Sequence, residues 1–416
     1  MIADTIKYKK TGLKWIPSVP ENWEQTRLKN ICDDRLQYGI NVPSGKYSET
    51  GIRFLRTTDI DEDGNIIEDG IYIPKEEVTH NYLLQQGDLL FSRSGTVGRC
   101  YLHNTENEYS YAGFLVRFRP ENKLLSKWMF YFSFTKEFKY QVNSDAIVST
   151  IANFNGNKYA AIKLFYPKEE NELITILKYL DHKTQQIENF IAKKLKFIDL
   201  LKEQRQSIIN GLLNKTHKDW SSARLKNVVT INDDVLNENT NNNFNIKYID
   251  IGNVNSDGTI TKIQELTFKD APSRARRIVR LNDVIISTVR TYLRAIAIIS
   301  NEEGNLIAST GFAILRHNDK IIPELLIEIL RTDFFIDQVI SNSYGVSYPA
   351  ITAFTLGSLK ISYPNSLKEQ QEIVYYIKAE TATIDTAIAK TQKEIELIKE
   401  YKEALISEAV TGNKIV

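Results

Sequence analysis

The arginines of this chain occur in clusters, interleaved with hydroxyl, amide and aromatic side chains. A guanidinium group pairs well with a phosphate or with O6 and N7 of guanine, and an asparagine amide pairs with adenine. Any single arginine is more simply explained as part of a solvated surface, but the set favours contact with DNA. The predicted DNA-contacting residues are Arg53, Arg56, Thr58, Arg93, Arg99, Asn153, Asn155, Lys158, Arg274, Arg276, Arg277, Arg290, Tyr292 and Arg294.

Residues arranged for catalysis are missing from the sequence. It has no glycine-rich loop ending in Gly-Lys-Ser/Thr, no Gly-x-Ser-x-Gly elbow and no Asn/Asp-Pro-Pro-Tyr/Phe tetrapeptide. The five histidines and two cysteines show no metal-ligand spacing. Segment 92–99 is rich in glycine and could hold a phosphate, but a basic loop against a DNA backbone explains it better. We therefore predict no catalytic residue, no metal and no cofactor in this chain.

The composition is that of an ordinary globular protein of several domains. The 416 residues carry a net charge of +1, so a basic surface depends on how the charges are distributed. No apolar run approaches the length of a membrane span, and the first residues do not form a signal peptide. We expect a cytoplasmic protein with no membrane partner.

The chain contains an internal repeat at an offset close to 197 residues. Trp23 recurs as Trp220, Gly87-Asp88 as Asn282-Asp283, and Gly113-Phe114 as Gly311-Phe312. Small changes of offset indicate short loop insertions on one scaffold. The sequence thus predicts a duplication of one globular unit, each copy followed by a long helical segment.

The long helices are predicted at 169–213 and 366–412, where apolar residues recur with the 3.5-residue period of a coiled coil. Polar residues interrupt the two stripes at the same positions, Lys194 and Arg205 in the first copy and Thr391 and Lys402 in the second. We expect the stripes to pack on each other antiparallel, and apolar residues outside them indicate either a second helical partner or packing against the globular units. The predicted seam is Ile187, Ile191, Ile198, Leu201, Ile208, Leu212, Ile384, Ile388, Ile395, Ile398, Leu405 and Ala409.

The globular units are predicted to be mixed α/β with a strand-rich core. Short apolar runs such as 52–55, 88–92 and 115–118 are typical of strands, and helical periodicity marks 124–141 and 323–340. The predicted fold is a tandem, pseudo-twofold duplication of two α/β domains separated and joined by two long antiparallel coiled-coil helices. Its predicted domains are 1–166, the helical segment 167–214, 215–363 and the helical segment 364–416.

The sequence resembles the specificity subunit of Type I restriction-modification systems over nearly its whole length. The resemblance is carried by Gly-Leu-Lys-Trp-Ile-Pro at 12–17, Gly-Asp-Leu-Leu-Phe-Ser at 87–92, and the helical segments 200–209 and 401–412. It implies two target-recognition domains that bind a split, asymmetric sequence in double-stranded DNA. It also implies helices that dock two modification subunits, which bind S-adenosylmethionine and methylate adenine. Restriction subunits that use ATP and Mg²⁺ complete such assemblies, and the chain itself is implied to be non-catalytic.

Two other interpretations stay open at this point. A coiled-coil adaptor could bind protein or glycan partners through the globular units, and an enzyme could carry dispersed catalytic residues. Binding to one bipartite duplex that weakens steeply with salt separates DNA recognition from the adaptor. Methyl transfer by this chain alone would support the enzyme.

Overall fold

The computed structural model describes residues 7–32, 36–67, 70–145, 153–213, 220–301, 304–346 and 348–413. By its internal contacts the chain divides into two compact units. Unit 1 comprises residues 1–194 and 393–416, and unit 2 comprises residues 195–392. Each unit therefore contains one globular region, part of the helix that follows it and part of the other long helix. The predicted boundary at 214/215 lies outside the described residues, and the other domain bounds stay predictions.

Unit 1 is built on a four-stranded sheet of order β4-β10-β7-β8 and a three-stranded sheet of order β6-β5-β9. Strand β3 pairs with β11, and β1 with β2. The strands are β1 Tyr8–Leu13, β2 Ile16–Pro20, β3 Trp23–Arg27, β4 Gln37–Tyr38, β5 Ile52–Leu55, β6 Tyr72–Ile73, β7 Leu89–Ser92, β8 Cys100–Leu102, β9 Tyr109–Tyr111, β10 Leu115–Phe118 and β11 Lys163–Pro167. The helices are α1 Lys123–Phe132, α2 Lys136–Asp145, α3 Gly156–Ala161 and the long α4 Glu170–Leu213, which continues into unit 2.

Unit 2 repeats this architecture with a four-stranded sheet of order β13-β20-β17-β18 and a second sheet of order β15-β14-β19-β16. Strand β12 pairs with β21, as β3 pairs with β11 in unit 1. The strands are β12 Trp220–Arg224, β13 Val229–Ile231, β14 Asn245–Ile249, β15 Gln264–Thr267, β16 Ala275–Ile278, β17 Val284–Ser287, β18 Ile296–Ile298, β19 Leu306–Ser309, β20 Phe312–His317 and β21 Lys360–Pro364. The helices are α5 Pro323–Arg331, α6 Asp333–Ser341, α7 Ala353–Ser358 and the long α8 Leu367–Val410, which continues into unit 1.

The predicted duplication is confirmed by the strand orders and by equivalent hydrogen bonds. Trp23 Nε1 donates to Glu172 Oε1 at 2.9 Å in unit 1. Trp220 Nε1 donates to Glu369 Oε1 at 3.1 Å in unit 2. Each indole fastens the first strand of its β3–β11 or β12–β21 pair to the first turn of the following long helix.

The alignment of Phe114 with Phe312 is wrong by one residue. In unit 1 Leu115 pairs with Ser92, and in unit 2 Phe312 pairs with Ser287. Leu115 is therefore the structural equivalent of buried Phe312. Phe114 falls at the turn before β10 and is exposed, where unit 2 has a glycine, Gly311.

The predicted helices at 124–141 and 323–340 are each two helices. Hydroxyl side chains accept hydrogen bonds from main-chain N–H groups at both breaks: Thr135 from Phe138 at 3.1 Å and Thr332 from Phe335 at 3.3 Å. Such a bond satisfies an N–H that has no partner in the first turn, so it favours the start of a new helix. The periodicity continued across the break because both helices pack on the same core.

The two long helices pack together, and each predicted seam residue of α4 and α8 is buried or half-buried; the residue-by-residue seam stays a prediction. Within unit 1, Lys194 Nζ lies 2.6 Å from Glu394 Oε2, and Lys402 Nζ lies 3.0 Å from Glu188 Oε1. The later residue of α4, Lys194, pairs with an earlier residue of α8 than Glu188 does, so the helices are antiparallel there. Within unit 2, Arg205 Nε lies 2.9 Å from Asp385 Oδ1. Three of the four polar residues that interrupt the stripes, Lys194, Arg205 and Lys402, thus form ion pairs with carboxylates on the opposite helix.

Lys402 also ties the helices to the globular part of unit 1, because its Nζ lies 3.0 Å from Asp63 Oδ1 in the β5–β6 connection. Burial lowers the pKa of this amine, but the hydrogen bond to Asp63 and the one to Glu188 outweigh burial and leave it raised. Thr391, the fourth interruption, is buried and donates to Ala387 O within its own helix at 2.8 Å.

The core of each unit includes the ends of both long helices. In unit 1, Leu177 and Leu180 of α4 share a cluster with Leu405 and Ala409 of α8. In unit 2, Ile209 and Leu213 of α4 share a cluster with Ile377 of α8. Within the described ranges no helix is long and apolar enough to cross a membrane.

Candidate nucleic-acid interface

Equivalent loops in the two units bring together segments that are far apart in sequence. In unit 1 the loop after β7 meets the segment before α3, since Phe154 N donates to Arg93 O at 2.9 Å. In unit 2 the loop after β17 meets the segment before α7, since Ile351 N donates to Thr288 O at 2.9 Å. Predicted DNA-contacting residues of both units lie on these loops.

The unit 1 loop surface comprises Arg93, Asn153, Asn155, Lys158 and Phe114. The main chain of Ser94 bridges to Asn153, and the Arg93 N–H donates to Phe114 O at 2.9 Å. The Arg93 guanidinium lies 4.9 Å from the Tyr38 ring centroid, a cation–π contact that orients it. Asn155 begins α3, with its side-chain oxygen accepting from Lys158 N at 3.0 Å. The fold therefore gathers four of the eight predicted unit 1 residues on one edge, as a basic and amide-rich surface.

The other four predicted residues of unit 1 surround the hairpin 59–67. Arg53 is 5% exposed, and its guanidinium donates to the carbonyls of Ile67 and Ile71 at 3.0 and 3.3 Å. A side chain this buried cannot reach DNA, so the expectation for Arg53 is corrected to a structural role. Gly70 leaves the space that the Arg53 guanidinium fills.

Arg56 and Arg99 are also used within unit 1. Arg56 makes two hydrogen bonds to buried Asp59, at 2.8 and 3.1 Å, and these bonds raise its pKa. Arg99 Nη1 donates to Ile60 O at 2.7 Å. Thr58 is exposed on the same hairpin. DNA contact by Arg56, Thr58 and Arg99 stays a prediction. The two arginines also have a structural role in unit 1, through their hydrogen bonds to Asp59 and Ile60, that Arg93 lacks.

The unit 2 loop surface comprises Arg274, Arg290, Tyr292, Tyr344 and Tyr348. Arg290 N donates to Pro349 O at 2.7 Å, and its guanidinium lies 4.6 Å from the Tyr348 ring centroid. The Arg274 carbonyl accepts a hydrogen bond from Thr310 N. The carbonyl of the next residue, Gly311, accepts one from Thr288 N, which links Arg274 to the loop after β17. Arg274 is also paired with Asp250 at 3.0 Å, and its hydrogen bond with Tyr248 raises its pKa.

The remaining predicted residues of unit 2 lie apart from that surface or are engaged elsewhere. Arg276 lies 4.7 Å from the Phe268 ring centroid on edge strand β16. Arg277, its neighbour, is half-buried, and burial lowers its pKa. Arg294 pairs with Asp333 at 2.8 Å and lines a cavity of about 750 Å³ beside α4 and α8, so its side chain turns toward the helices.

Three aromatic residues of these surfaces were not predicted from the sequence. Phe114, Tyr344 and Tyr348 are exposed aromatic residues on the loop surfaces. Spacing along the chain held no signal for them, because the loops meet only in the folded unit.

A buried ion pair that recurs in both units was also not predicted from the sequence. Arg119 Nε donates to Asp88 at 2.6 Å, and Arg316 Nη2 donates to Asp283 at 2.8 Å. Both carboxylates are buried, and each also accepts a main-chain N–H, from Gln85 or Arg280. Each pair joins the two central strands, β7 with β10 and β17 with β20, from which the loop surfaces extend. The internal repeat aligned the two aspartates, and this was the available signal.

Comparison with known proteins places these units in a family. The family model described as "Type I restriction modification DNA specificity domain" matches residues 20–196 and again residues 217–397. The HindI Type I restriction enzyme specificity subunit of Haemophilus influenzae is 27% identical over 134 residues, which are 30% of this chain and 28% of that subunit. The match thus spans less than a third of that relative's length.

Solved structures align with the chain at low sequence identity. A chain from a structure of assembly and conformational transition in the type I R-M system is similar with a TM-score of 0.62 and 15% identity, covering 95% of this chain and 99% of that one. The HsdS subunit of Thermoanaerobacter tengcongensis aligns with a TM-score of 0.40 and 17% identity, over 95% of this chain and 98% of that one. Two matches to one family model, on two units with equivalent sheets and loops, confirm the resemblance seen in the sequence: the chain belongs to the family of Type I restriction modification DNA specificity domains.

Proposed function

We propose that this chain is the DNA-recognition subunit of a Type I restriction-modification enzyme, active in the cytoplasm. Unit 1 binds one half of a split, asymmetric target in double-stranded DNA, and unit 2 binds the other. The chain is non-catalytic: two modification subunits bind S-adenosylmethionine and methylate adenine, and restriction subunits supply ATP- and Mg²⁺-dependent cleavage.

One observation carries this proposal: in each copy of the duplicated fold, remote segments converge on one loop surface that presents arginine, amide and aromatic groups. Phosphate contacts from such groups position a protein on the duplex, and contacts with base edges select the sequence. The two surfaces differ in composition, with Phe114 and Asn153 in unit 1 and Arg290 and Tyr348 in unit 2. Different surfaces select different base sequences, which is why we expect an asymmetric target.

The long helices support the second part of the proposal, docking of modification subunits. Outside the buried seam, the unit 2 part of α4 exposes Leu195, Phe197 and Leu200. In unit 1, α4 exposes Phe190 and α8 exposes Leu397. Large apolar side chains exposed close together on a helix mark a protein-binding surface. We propose that these residues contact the modification subunits and that helix length sets the gap between the two half-sites.

DNA binding is tested with the chain assembled with its modification subunits. Fluorescence anisotropy against a pool of duplexes should select one bipartite sequence, and affinity should fall steeply with salt because binding releases counterions from phosphates. The double variant Arg93→Ala, Lys158→Ala should weaken binding. It should also reduce the slope of log affinity against log salt by about 0.9 for each phosphate that the variant no longer neutralises.

A matched control is Lys75→Ala, which removes an exposed cation that is paired with Glu108 at 2.8 Å, outside the loop surface. It should leave both affinity and salt slope unchanged. Equal weakening by the double variant and by Lys75→Ala, or an assembly that prefers no duplex, contradicts the proposal.

A further inference from the structure

The loop between β17 and β18 in unit 2 holds two arginines in a backbone conformation that arginine rarely adopts. Arg290 has φ 52° and ψ 51°, and Arg294 has φ 53° and ψ 34°; they flank a single 3₁₀ turn, Thr291–Leu293. This left-handed region is unfavourable for a residue other than glycine, because Cβ lies too close to the following carbonyl oxygen. Such strain persists where the surrounding structure or the function requires that residue.

Unit 1 shows what the same loop needs for folding alone. Gly95 lies three residues after Ser92, as Arg290 lies three residues after Ser287, and it has φ 76°. Gly98 lies two residues before Cys100, as Arg294 lies two residues before Ile296, and it has φ 94°. The duplicate thus places glycine at both left-handed positions. Arginine at these positions in unit 2 is retained despite its backbone cost.

The two arginines differ in what their side chains do. Arg294 forms an ion pair with Asp333, which gives it a role within the fold. Arg290 is exposed, and among the residues that the structure describes no carboxylate lies within ion-pair distance of it. Its guanidinium instead lies over the Tyr348 ring, at 4.6 Å from the centroid. Nothing in the described part of unit 2 therefore requires the charge of Arg290.

The surroundings of Arg290 fix its position in advance of any ligand. Its N–H donates to Pro349 O, and Val289 bridges to Ala350, which itself bridges to Tyr344. The loop is thus bound to a second loop that carries two exposed tyrosines, Tyr344 and Tyr348. A ring beneath the guanidinium restricts the plane of the group while leaving N–H donors at its edge free.

We propose that Arg290 is the specificity-determining residue of unit 2 and that it recognises a guanine through O6 and N7 in the major groove. This rests on the proposed function and adds that the half-site bound by unit 2 contains a G·C pair at one position. A phosphate contact needs only a cation, and lysine provides one, whereas paired hydrogen bonds to guanine require the planar guanidinium. The plane of the Arg290 guanidinium, held against the Tyr348 ring, favours the guanine contact.

The test uses the chain assembled with its modification subunits, as wild type, Arg290→Gly and Arg290→Lys. Glycine suits the backbone at 290, so this variant should fold with unchanged or higher thermal stability. Asn282→Gly is the matched control, because Asn282 has φ 67° in a different turn of unit 2. Affinity is measured for duplexes that carry each of the four base pairs at every specified position of the target.

Wild type should prefer G·C at one position of one half-site. Both Arg290 variants should lose this preference by about 5- to 150-fold, the effect of one paired arginine–guanine contact, and keep every other preference. Asn282→Gly should keep all preferences. Arg290→Lys should still retain more affinity than Arg290→Gly, because the charge remains near the phosphates.

This proposal alone is overturned by a wild-type target whose half-sites contain no G·C pair, or by Arg290 variants that keep every base preference. Uniform weakening over all sequences by Arg290→Gly, fully restored in Arg290→Lys, shows a phosphate contact and overturns it too. A wild-type assembly with no preference for a split duplex instead overturns the proposed function, and the guanine contact with it.

Discussion

Replacing Asp283 with asparagine should destabilise unit 2 far more than the same change at Asp233, although both carboxylates bind Arg316. Arg316 Nη2 lies 2.8 Å from Asp283 and its Nη1 lies 2.6 Å from Asp233. Asp283 is 2% exposed and Asp233 35% exposed, so the two ion pairs differ mainly in burial. The hydrogen bond to Asp283 raises the pKa of Arg316, and with the charges of Asp283, Asp233 and Asp234 it outweighs burial, which lowers that pKa.

The expected magnitudes follow from that difference. Asp283→Asn removes the buried charge that faces the Arg316 guanidinium and the Arg280 N–H, so that Arg316 keeps only its partly exposed pair with Asp233. Breaking a buried pair costs about 3–5 kcal/mol. Asp233→Asn removes a partly exposed pair worth about 0–1 kcal/mol. The substitution preserves volume, so cavity formation contributes little to either value.

Hydrogen–deuterium exchange followed by mass spectrometry measures this effect unit by unit. Peptides from β17 and β20 should exchange about 100-fold faster or more in Asp283→Asn, since each 1.4 kcal/mol is tenfold in the opening equilibrium. Peptides from β7 and β10 report on unit 1, where Asp88→Asn should produce the mirrored result. Equal acceleration by Asp283→Asn and Asp233→Asn refutes the assignment of stability to the buried pair.

Three further predictions concern the other surfaces. Phe114→Ala should change the free energy of unfolding by less than about 0.5 kcal/mol, because the side chain is exposed. It should nevertheless weaken binding to the half-site of unit 1 in the anisotropy assay, and unchanged affinity removes Phe114 from the interface. Burial lowers the pKa of His103, whose ring lies against Tyr101 and Tyr109. The unfolded chain therefore binds a proton at His103 more readily, and the free energy of unfolding should fall as pH drops below about 6.5. Urea unfolding at several pH values should show a shallower fall in His103→Gln, and identical slopes contradict this. Phe197→Ala with Leu200→Ala should reduce binding of a modification subunit in analytical ultracentrifugation without altering the melting temperature, whereas undiminished assembly places the docking surface elsewhere.

Periodicity made the long helices predictable, since a 3.5-residue stripe with matched interruptions leaves few alternatives to a shared seam. Side-chain roles in the globular units were less accessible to sequence. Arg53 and Arg93 are the same residue type in similar strand contexts, but one is enclosed beside Gly70 and the other lies over Tyr38 at the loop surface. Only tertiary contacts decide between these outcomes.

The left-handed backbone conformation of Arg290 was also not predictable from the sequence. Sequence patterns favour glycine or asparagine at left-handed positions, so Arg290 gave no sign of its conformation until the loop was compared with its glycine-containing duplicate. The one-residue error at Phe114 has a similar cause. Two Gly-Phe dipeptides align by letter, whereas strand register places the second phenylalanine in the core and the first at a turn.

Methylation-site sequencing of DNA from cells that carry this chain with its modification subunits tests most directly whether one duplicated chain recognises two different sequences. We predict a single motif with two unlike specified parts, separated by a fixed number of unspecified base pairs. A continuous motif, two identical halves, or methylation without a motif contradicts the account.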